Sequence, residues 1–298
     1  MEIRVLRYFV EVARQSSITR AAEALHVSQP TLSKQLKNLE NELGKKLFQR
    51  SNYGITLTDA GILMRKRAED ILSMVDKTSA EFQTMTDLTG GDVYIGCAES
   101  QLIGQLTTTI KEFRHQYPGL RFHLMSGETK TVTEKLDQGL VDFAIIVEPP
   151  DLEHYTYLEV PGEDTWGLVM RRDDPLAQKQ TITVADLADQ AIICSEQSIH
   201  TDIPRWAGDQ TADLNWIGTT NLFFNGSVCV RNGLGVLLTF KGLCDTSATS
   251  DLTFRPLAPQ LTTKMYVIWK KYQVFTPIAE RFIKQLQTDF STETTVHK

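Results

Sequence analysis

Leu6, Phe9, Val10 and Ala13 recur at helical spacing, so residues 3–14 are predicted to form an amphipathic helix. Thr19 is placed as the cap of a second short helix reaching Leu25, with Ala21, Ala22 and Leu25 turned inward. Small alanines there permit the close crossing that a helix-turn-helix needs. After a tight turn at His26-Val27, Ser28 is a good N-cap for a third helix, with Pro30 tolerated in its first turn. Leu32, Leu36 and Leu39 mark the buried stripe of that helix. The stretch 43–58 has apolar residues on either side of Asn52-Tyr53-Gly54, which reads as a two-stranded wing. Thr58 with Asp59 then opens a long helix to about Leu88. In it Met64, Ala68, Ile71, Val75, Thr78, Phe82 and Met85 follow at alternating gaps of four and three, a heptad seam able to pair with a second copy.

Beyond Gly90-Gly91 the period changes. Short apolar runs at 93–97, 120–124, 143–147, 166–170, 191–194, 236–238 and 265–269 read as strands. Helical patterns at 100–117, 131–139, 183–188 (capped by Thr183), around Trp206, at 224–232 and at 276–287 fall between or after them. Strands alternating with helices predict α/β architecture with a parallel or mixed sheet. The polar tail 291–298 is expected to fray.

Composition narrows the class. With 41% hydrophobic and 23% charged residues the chain reads as an ordered globular protein. No stretch approaches the roughly 18 apolar residues of a membrane span. Glu2 and Arg4 interrupt the apolar start, which is read as helix, not signal peptide, so a cytoplasmic location is expected. Cys97, Cys194, Cys229 and Cys244 form no CxxC pair and read as buried or half-buried thiols, with a redox role for Cys97 or Cys194 as the alternative. The histidines at 26, 115, 123, 154, 200 and 297 show no HExxH or close pairing, and neither GxSxG nor a phosphate-cradling glycine loop is present. No metal, cofactor or catalytic residue is expected, and the chain is not read as an enzyme.

The net charge of −6 is uneven. Residues 1–58 hold nine Lys/Arg against five Asp/Glu, a net of +4, and the remainder carries −10. A basic module facing phosphates, joined to an acidic one kept off them, fits this distribution. On the third helix Gln29, Thr31, Ser33, Lys34 and Lys37 lie opposite the leucine stripe. Gln and Lys can bond base edges in a major groove, while Ser and Thr serve bases or phosphates. The same face could also be the solvated side of a small helical bundle. Arg50, just before the wing turn, could grip a phosphate or enter a minor groove.

These residues carry a family resemblance. Ser17-x-Thr19-x-Ala21-Ala22-x-x-Leu25-x-Val27-Ser28-Gln29-Pro30-x-Leu32-Ser33, then Leu39-Glu40-x-x-Leu43-Gly44-x-x-Leu47-Phe48-x-Arg50 and Leu57-Thr58-x-Ala60-Gly61, closely resemble the LysR-type transcriptional regulators. The resemblance implies DNA contacts at Gln29, Pro30, Thr31, Ser33, Lys34 and Arg50, and makes the long helix a dimerisation linker. It implies a winged helix-turn-helix over 1–58, the linker over 59–89, and over 90–298 an effector domain like a periplasmic binding protein. One lobe would use 91–161 with 267–290, the other 162–266. Gly139-x-x-Asp142 and Asn232-Gly233-Leu234-Gly235-Val236 match family positions, although Thr239 stands where a proline is usual.

A cleft in such a fold collects strand C-termini and helix N-termini, which suit small polar or anionic groups. Ser100, a family effector position, with Gln101 begins one loop. Ser126, Gly127, Glu128 and Thr129 form a second, and Ser195, Glu196 and Gln197 a third, taken as a segment crossing between lobes. Each hydroxyl could instead be a simple helix cap. If they face the cleft, Glu99, Glu128 and Glu196 would make it disfavour a dicarboxylate and suit an amine or a polyol; otherwise they are ordinary surface carboxylates on loops. Phe223, Phe224, Trp216 and Trp206 could wall the cleft or pack in the core. The partners implied are a dyad-symmetric duplex DNA site, a small-molecule effector, a second copy (dimer or tetramer) and RNA polymerase, but no membrane. Two alternatives stay open: a constitutive regulator whose second domain serves oligomerisation, and a solute-binding module that does not touch DNA.

Overall fold

Helices α1 (Ile3–Gln15), α2 (Ile18–Ala24) and α3 (Gln29–Leu43) close around Leu6, Phe9, Ala21, Ala22, Leu32, Leu36 and Leu39, all buried. The computed structural model describes residues 1–51, 54–84, 89–147 and 153–291. Its contacts divide the chain into two units, Met1–Gln83 and Thr84–Lys298. The cap of α2 is Ser17, not Thr19. Ser17 has extended backbone (φ −155°) and its hydroxyl accepts from the Arg20 amide, whereas Thr19 already lies inside the helix. Ser28 caps α3 as expected, accepting from the Thr31 amide at 3.3 Å, and Gly44 ends that helix at φ +63°.

Strands β1 (Phe48–Ser51) and β2 (Gly54–Leu57) pair antiparallel, Phe48 opposite Leu57, as the wing. The expected turn residues Asn52 and Tyr53 lie outside the described residues. Glu40 ties α3 to the wing: its carboxylate accepts from the Leu47 and Phe48 amides and from Lys46. Burial pushes the Glu40 carboxyl up, but these donors outweigh it and hold it below its ordinary value. Helix α4 (Asp59–Thr84) follows; residues 85–88 of the expected long helix, Met85 among them, are not described. Gly61 opens α4 against the wing, where a Cβ would stand 2.0 Å from the Leu47 carbonyl oxygen.

In the second unit β3 (Gly90–Cys97), α5 (Ile103–Gln116), β4 (Gly119–Ser126), α6 (Thr129–Asp137), β5 (Phe143–Ile146) and β6 (Tyr155–Glu159) come first. Then follow β7 (Asp164–Arg171), β8 (Ile192–Cys194), α7 (Glu196–His200), α8 (Asp202–Ala207), β9 (Trp216–Thr219), α9 (Phe223–Arg231), β10 (Val236–Phe240), β11 (Leu252–Pro256), β12 (Thr262–Thr263), β13 (Tyr266–Lys270) and α10 (Pro277–Ser291). They build two lobes. One sheet has the order β4-β3-β5-β13-β6; the other runs β11-β7-β10-β8-β9, with β12 on β7. Within the lobes β4, β3 and β5 are parallel, as are β10, β8 and β9.

The chain passes between sheets twice, from β6 to β7 and from β12 to β13. The segment after Cys194 is therefore not a crossing, because β8 runs directly into α7 of the same lobe. At the real crossings Thr263 donates to buried Asp202 and accepts from the Trp166 indole. Thr239 is fully buried opposite Gly167, and its hydroxyl has no partner among the described residues. Strands β6, β9, β11 and β12 have no counterpart in the predicted pattern. They are short and lie at sheet edges or on the β7 margin, where half-exposed side chains give no apolar run.

Candidate nucleic-acid interface and interlobe cleft

In the first unit α3 turns Gln29, Pro30, Thr31, Lys34 and Lys37 to solvent and leaves Ser33 half-buried. Gln29 Nε2 donates to Ser33 Oγ at 3.1 Å, while the Ser28 and Thr31 hydroxyls share a bond of 2.8 Å, so the first turn of the helix is pre-ordered. Ser33, Lys34, Lys37 and Lys46 line a concavity of about 450 Å³ with Ile18, Phe48 and Ile55. Arg50 pairs with Ile55 across the wing; its side chain is outside the description. Three donors and two exposed ammonium groups on one helix face are what base edges and phosphates require.

The α4 seam is divided. Ala68 is fully buried and Met64 and Ile71 pack against the core of the same unit. Val75 is half-buried, and Thr78 and Phe82 are exposed, Phe82 at 72%. Ile62 and Leu63, outside the seam, are also exposed.

The C-terminal ends of the parallel strands converge in the second unit. From one lobe Ala98, Glu99, Gly127, Glu128, Thr129 and Val147 face Ser195, Gln197, Ser198, Asn221, Phe223 and Phe240 of the other across a cavity of about 30 Å³. Among the described residues three hydrogen bonds cross it. Glu99 Oε2 accepts from the Phe223 amide at 2.8 Å; Gln197 Oε1 accepts from the Thr129 amide at 3.0 Å and its Nε2 donates to Thr129 Oγ1 at 3.1 Å. Near by, Gln101 Nε2 donates to the Gly242 carbonyl at 2.6 Å, an approach that a Cβ on Gly242 (φ +86°) would block.

The expected residues do not all reach this cavity. Gly127, Glu128, Thr129, Ser195 and Gln197 line it. Ser195 serves as the α7 cap, bonded to the Ser198 amide and hydroxyl. Ser126 is exposed and hydrogen-bonds the Cys97 thiol. Glu196 stands on an open basin beside the cavity, 3.4 Å from His200 Nε2. Burial, then the nearby Glu196 charge, push the Glu128 carboxyl up. Among the aromatics Phe223 lines the cavity, Phe224 is exposed, and Trp206 and Trp216 pack on the core. Asn221 and Phe240 are not among the residues expected from the sequence; Phe240 is the last residue of β10 and Asn221 lies just past β9, so the strand-end rule reaches Asn221 only once β9 is recognised.

Ser100 does not line the cavity. It is buried, donates to Asp164 Oδ2 and accepts from the Leu102 amide at 2.8 Å. Burial pushes the Asp164 carboxyl up to about 6, against the pull of Ser100 and the Gln101 amide. A raised acid keeps its proton to a higher pH in the folded state than in the unfolded chain. Its contribution to stability is complete below the ordinary value of 3.8 and is lost as pH rises through about 6. Asp164→Asn is expected to flatten the urea-stability profile between those two values, by roughly 3 kcal/mol relative to wild type. Parallel profiles for the two proteins would disprove the assignment. The buried thiols of Cys97, Cys194 and Cys244 are likewise pushed up by burial, Cys244 to about 11, which disfavours the reactive thiolate.

Residues 3–62 match the bacterial regulatory helix-turn-helix proteins of the lysR family, and residues 86–291 match the LysR substrate binding domain. The chain belongs to the LysR family. It is a DNA-binding transcriptional regulator and not an enzyme. This LysR-family regulator is 30% identical over 293 residues to the Hca operon transcriptional activator HcaR of Escherichia coli (strain K12), covering 96% of this chain and 97% of that one. It is 25% identical to the transcriptional regulator BudR of Raoultella terrigena, over 92% of this chain and 96% of BudR. The crystal structure of CbnR shares its fold with TM-score 0.75 at 19% identity, covering 97% and 99% of the two chains. Full-length BenM matches all of both chains at 26% identity with TM-score 0.53. No helix among the described residues of this LysR-family regulator is long and apolar enough to cross a membrane.

Proposed function

We propose that this LysR-family regulator works in the cytoplasm as a homodimer, or a dimer of dimers, on a partly dyad-symmetric promoter site, and that a small molecule bound between its lobes controls it. The observation that carries the proposal is the meeting of strand ends and helix N-termini from both lobes at one cavity, the place where open α/β sheets bind ligands. The division of labour assigns residues 1–58 to DNA, 59–89 to pairing of two copies, and 90–298 to the effector. Gln29, Pro30, Thr31, Ser33, Lys34, Lys37 and Arg50 would meet DNA; the likeness to the crystal structure of full-length CbnR complexed with its target DNA supports that fold for the task. Val75, Thr78 and Phe82 are the part of the seam left for a second copy. Ligand-driven movement of the lobes would alter the spacing of the paired DNA-binding units and their contact with RNA polymerase.

The test is a footprint of the purified protein upstream of its own gene, with and without a small-metabolite extract. A protected dyad whose extent changes with the extract is expected. The small residual volume of the cleft favours one other reading, a constitutive regulator, and a footprint that ignores every extract fraction would select it.

A further inference from the structure

Two helix ends at the cleft lack caps of their own. Leu222 precedes α9 and Glu128 precedes α6, and neither side chain caps its helix. Each end is capped from the opposite lobe instead: α9 by the Glu99 carboxylate on the Phe223 amide, α6 by the Gln197 carboxamide on the Thr129 amide. A helix N-terminus attracts an anion because its first amides have no intrahelical acceptor and carry the positive end of the dipole. At α9 the chain itself already supplies that anion. With both caps in place the remaining space, about 30 Å³, holds about one water.

The charges agree with this geometry. Glu99 and Glu128 both line the cavity, none of its described lining residues is Lys or Arg, and Glu196 stands near enough to push the Glu128 carboxyl further up. An incoming carboxylate would meet an occupied helix end and two acids, with no cation among the described lining residues to neutralise it.

We infer that Glu99 is a specificity-determining residue: a tethered carboxylate that fills the N-terminus of α9 and so excludes carboxylate effectors, leaving the cleft to a ligand that faces Glu99 and Glu128 with an ammonium or hydroxyl group. This rests on the reading of the cleft as the effector site. Gln197 serves α6 as a neutral counterpart, and a ligand enters by parting these two caps.

The test uses the full chain with succinate as the anionic probe at constant ionic strength, followed by titration calorimetry, with amide hydrogen exchange as a second readout. Wild type is expected to show no saturable binding. Glu99→Ala is expected to gain it, at least roughly tenfold tighter, the worth of one charge-assisted hydrogen bond. Glu99→Gln, which keeps an oxygen on the Phe223 amide, should stay closed. Exchange should quicken at Phe223 in Glu99→Ala and at Thr129 in Gln197→Ala, each without the other. Should Glu99→Ala not fold, Glu99→Ser carries the same comparison. Equal succinate binding by wild type and variant, a folded variant that gains none, or unchanged exchange at Phe223 would each overturn the inference. A wild type whose footprint answers metabolites while the variant ignores succinate removes Glu99 as the gate and leaves the effector reading standing. A variant that gains succinate while no footprint ever responds keeps the gate and removes the regulatory reading.

Discussion

Gly61→Ala is expected to unfold the first unit and abolish DNA binding while the second unit keeps its own thermal transition. The added methyl would stand 2.0 Å from the Leu47 carbonyl oxygen and 3.0 Å from a Leu57 methyl, where no rotamer change can relieve it. Backbone is the obstacle, so the wing must move away from α4. That movement strains the Thr58 link, in which its amide donates to the Leu47 carbonyl at 3.0 Å and its hydroxyl to the Lys46 carbonyl at 2.7 Å. Overpacking of this kind costs about 3 kcal/mol or more, a large share of what a unit of this size holds. Calorimetry should show the transition of the first unit lost or shifted down and that of the second unit unchanged. Retention of both transitions with full footprinting would mean that the wing accommodates a side chain there.

Gln29→Ala and Lys34→Ala are expected to separate sequence reading from simple attraction. Gln29 sits in the first turn of α3 with its amide held toward Ser33, the position from which a bidentate contact to an adenine edge can be made. Its loss should weaken specific binding by roughly 1–3 kcal/mol and relax preference at one base position, with non-specific binding unchanged. Lys34, exposed beside Lys37, should act through phosphate: affinity falls for all sequences alike and the salt slope drops by about 1. The double variant should lose roughly a hundredfold or more in specific affinity. Fluorescence anisotropy across a salt series on operator and scrambled duplexes reads all of these quantities. Identical losses on both duplexes for Gln29→Ala would move that residue from base reading to the backbone.

The sequence was most legible where a side chain's own chemistry sets the local structure. Ser28 with Pro30 starts α3, Gly44 ends it, and Leu32, Leu36 and Leu39 can face only inward, so this helix stands where the pattern places it. Thr19 misled because both Ser17 and Thr19 can cap, and the choice was made by Ser16 in the left-handed region at φ 50°, which turns the chain before Ser17. The seam of α4 was legible as a period but not as an occupancy: its spacing is blind to whether Ala68 meets another copy or its own core. In the cleft the gap was wider. Ser100 had the right place in the chain, yet a buried Asp164, 64 residues on, claims its hydroxyl. Glu99 and Gln197 lie 98 residues apart, and no local pattern shows that each finishes a helix in the facing lobe.

The second lobe begins after β6 and returns at β13, and those two strands are neighbours, Glu159 beside Tyr266. It is thus an insert whose two ends leave and re-enter the first lobe side by side, an arrangement that lets a whole lobe be exchanged as a cassette without redrawing its host sheet. Reciprocal capping limits which cassettes fit. A grafted lobe would have to bring both an acceptor for Thr129 and an amide for Glu99, so a chimaera lacking either would leave one host or guest helix unfinished, and ligand preference would be inherited from the pair of lobes and not from one of them.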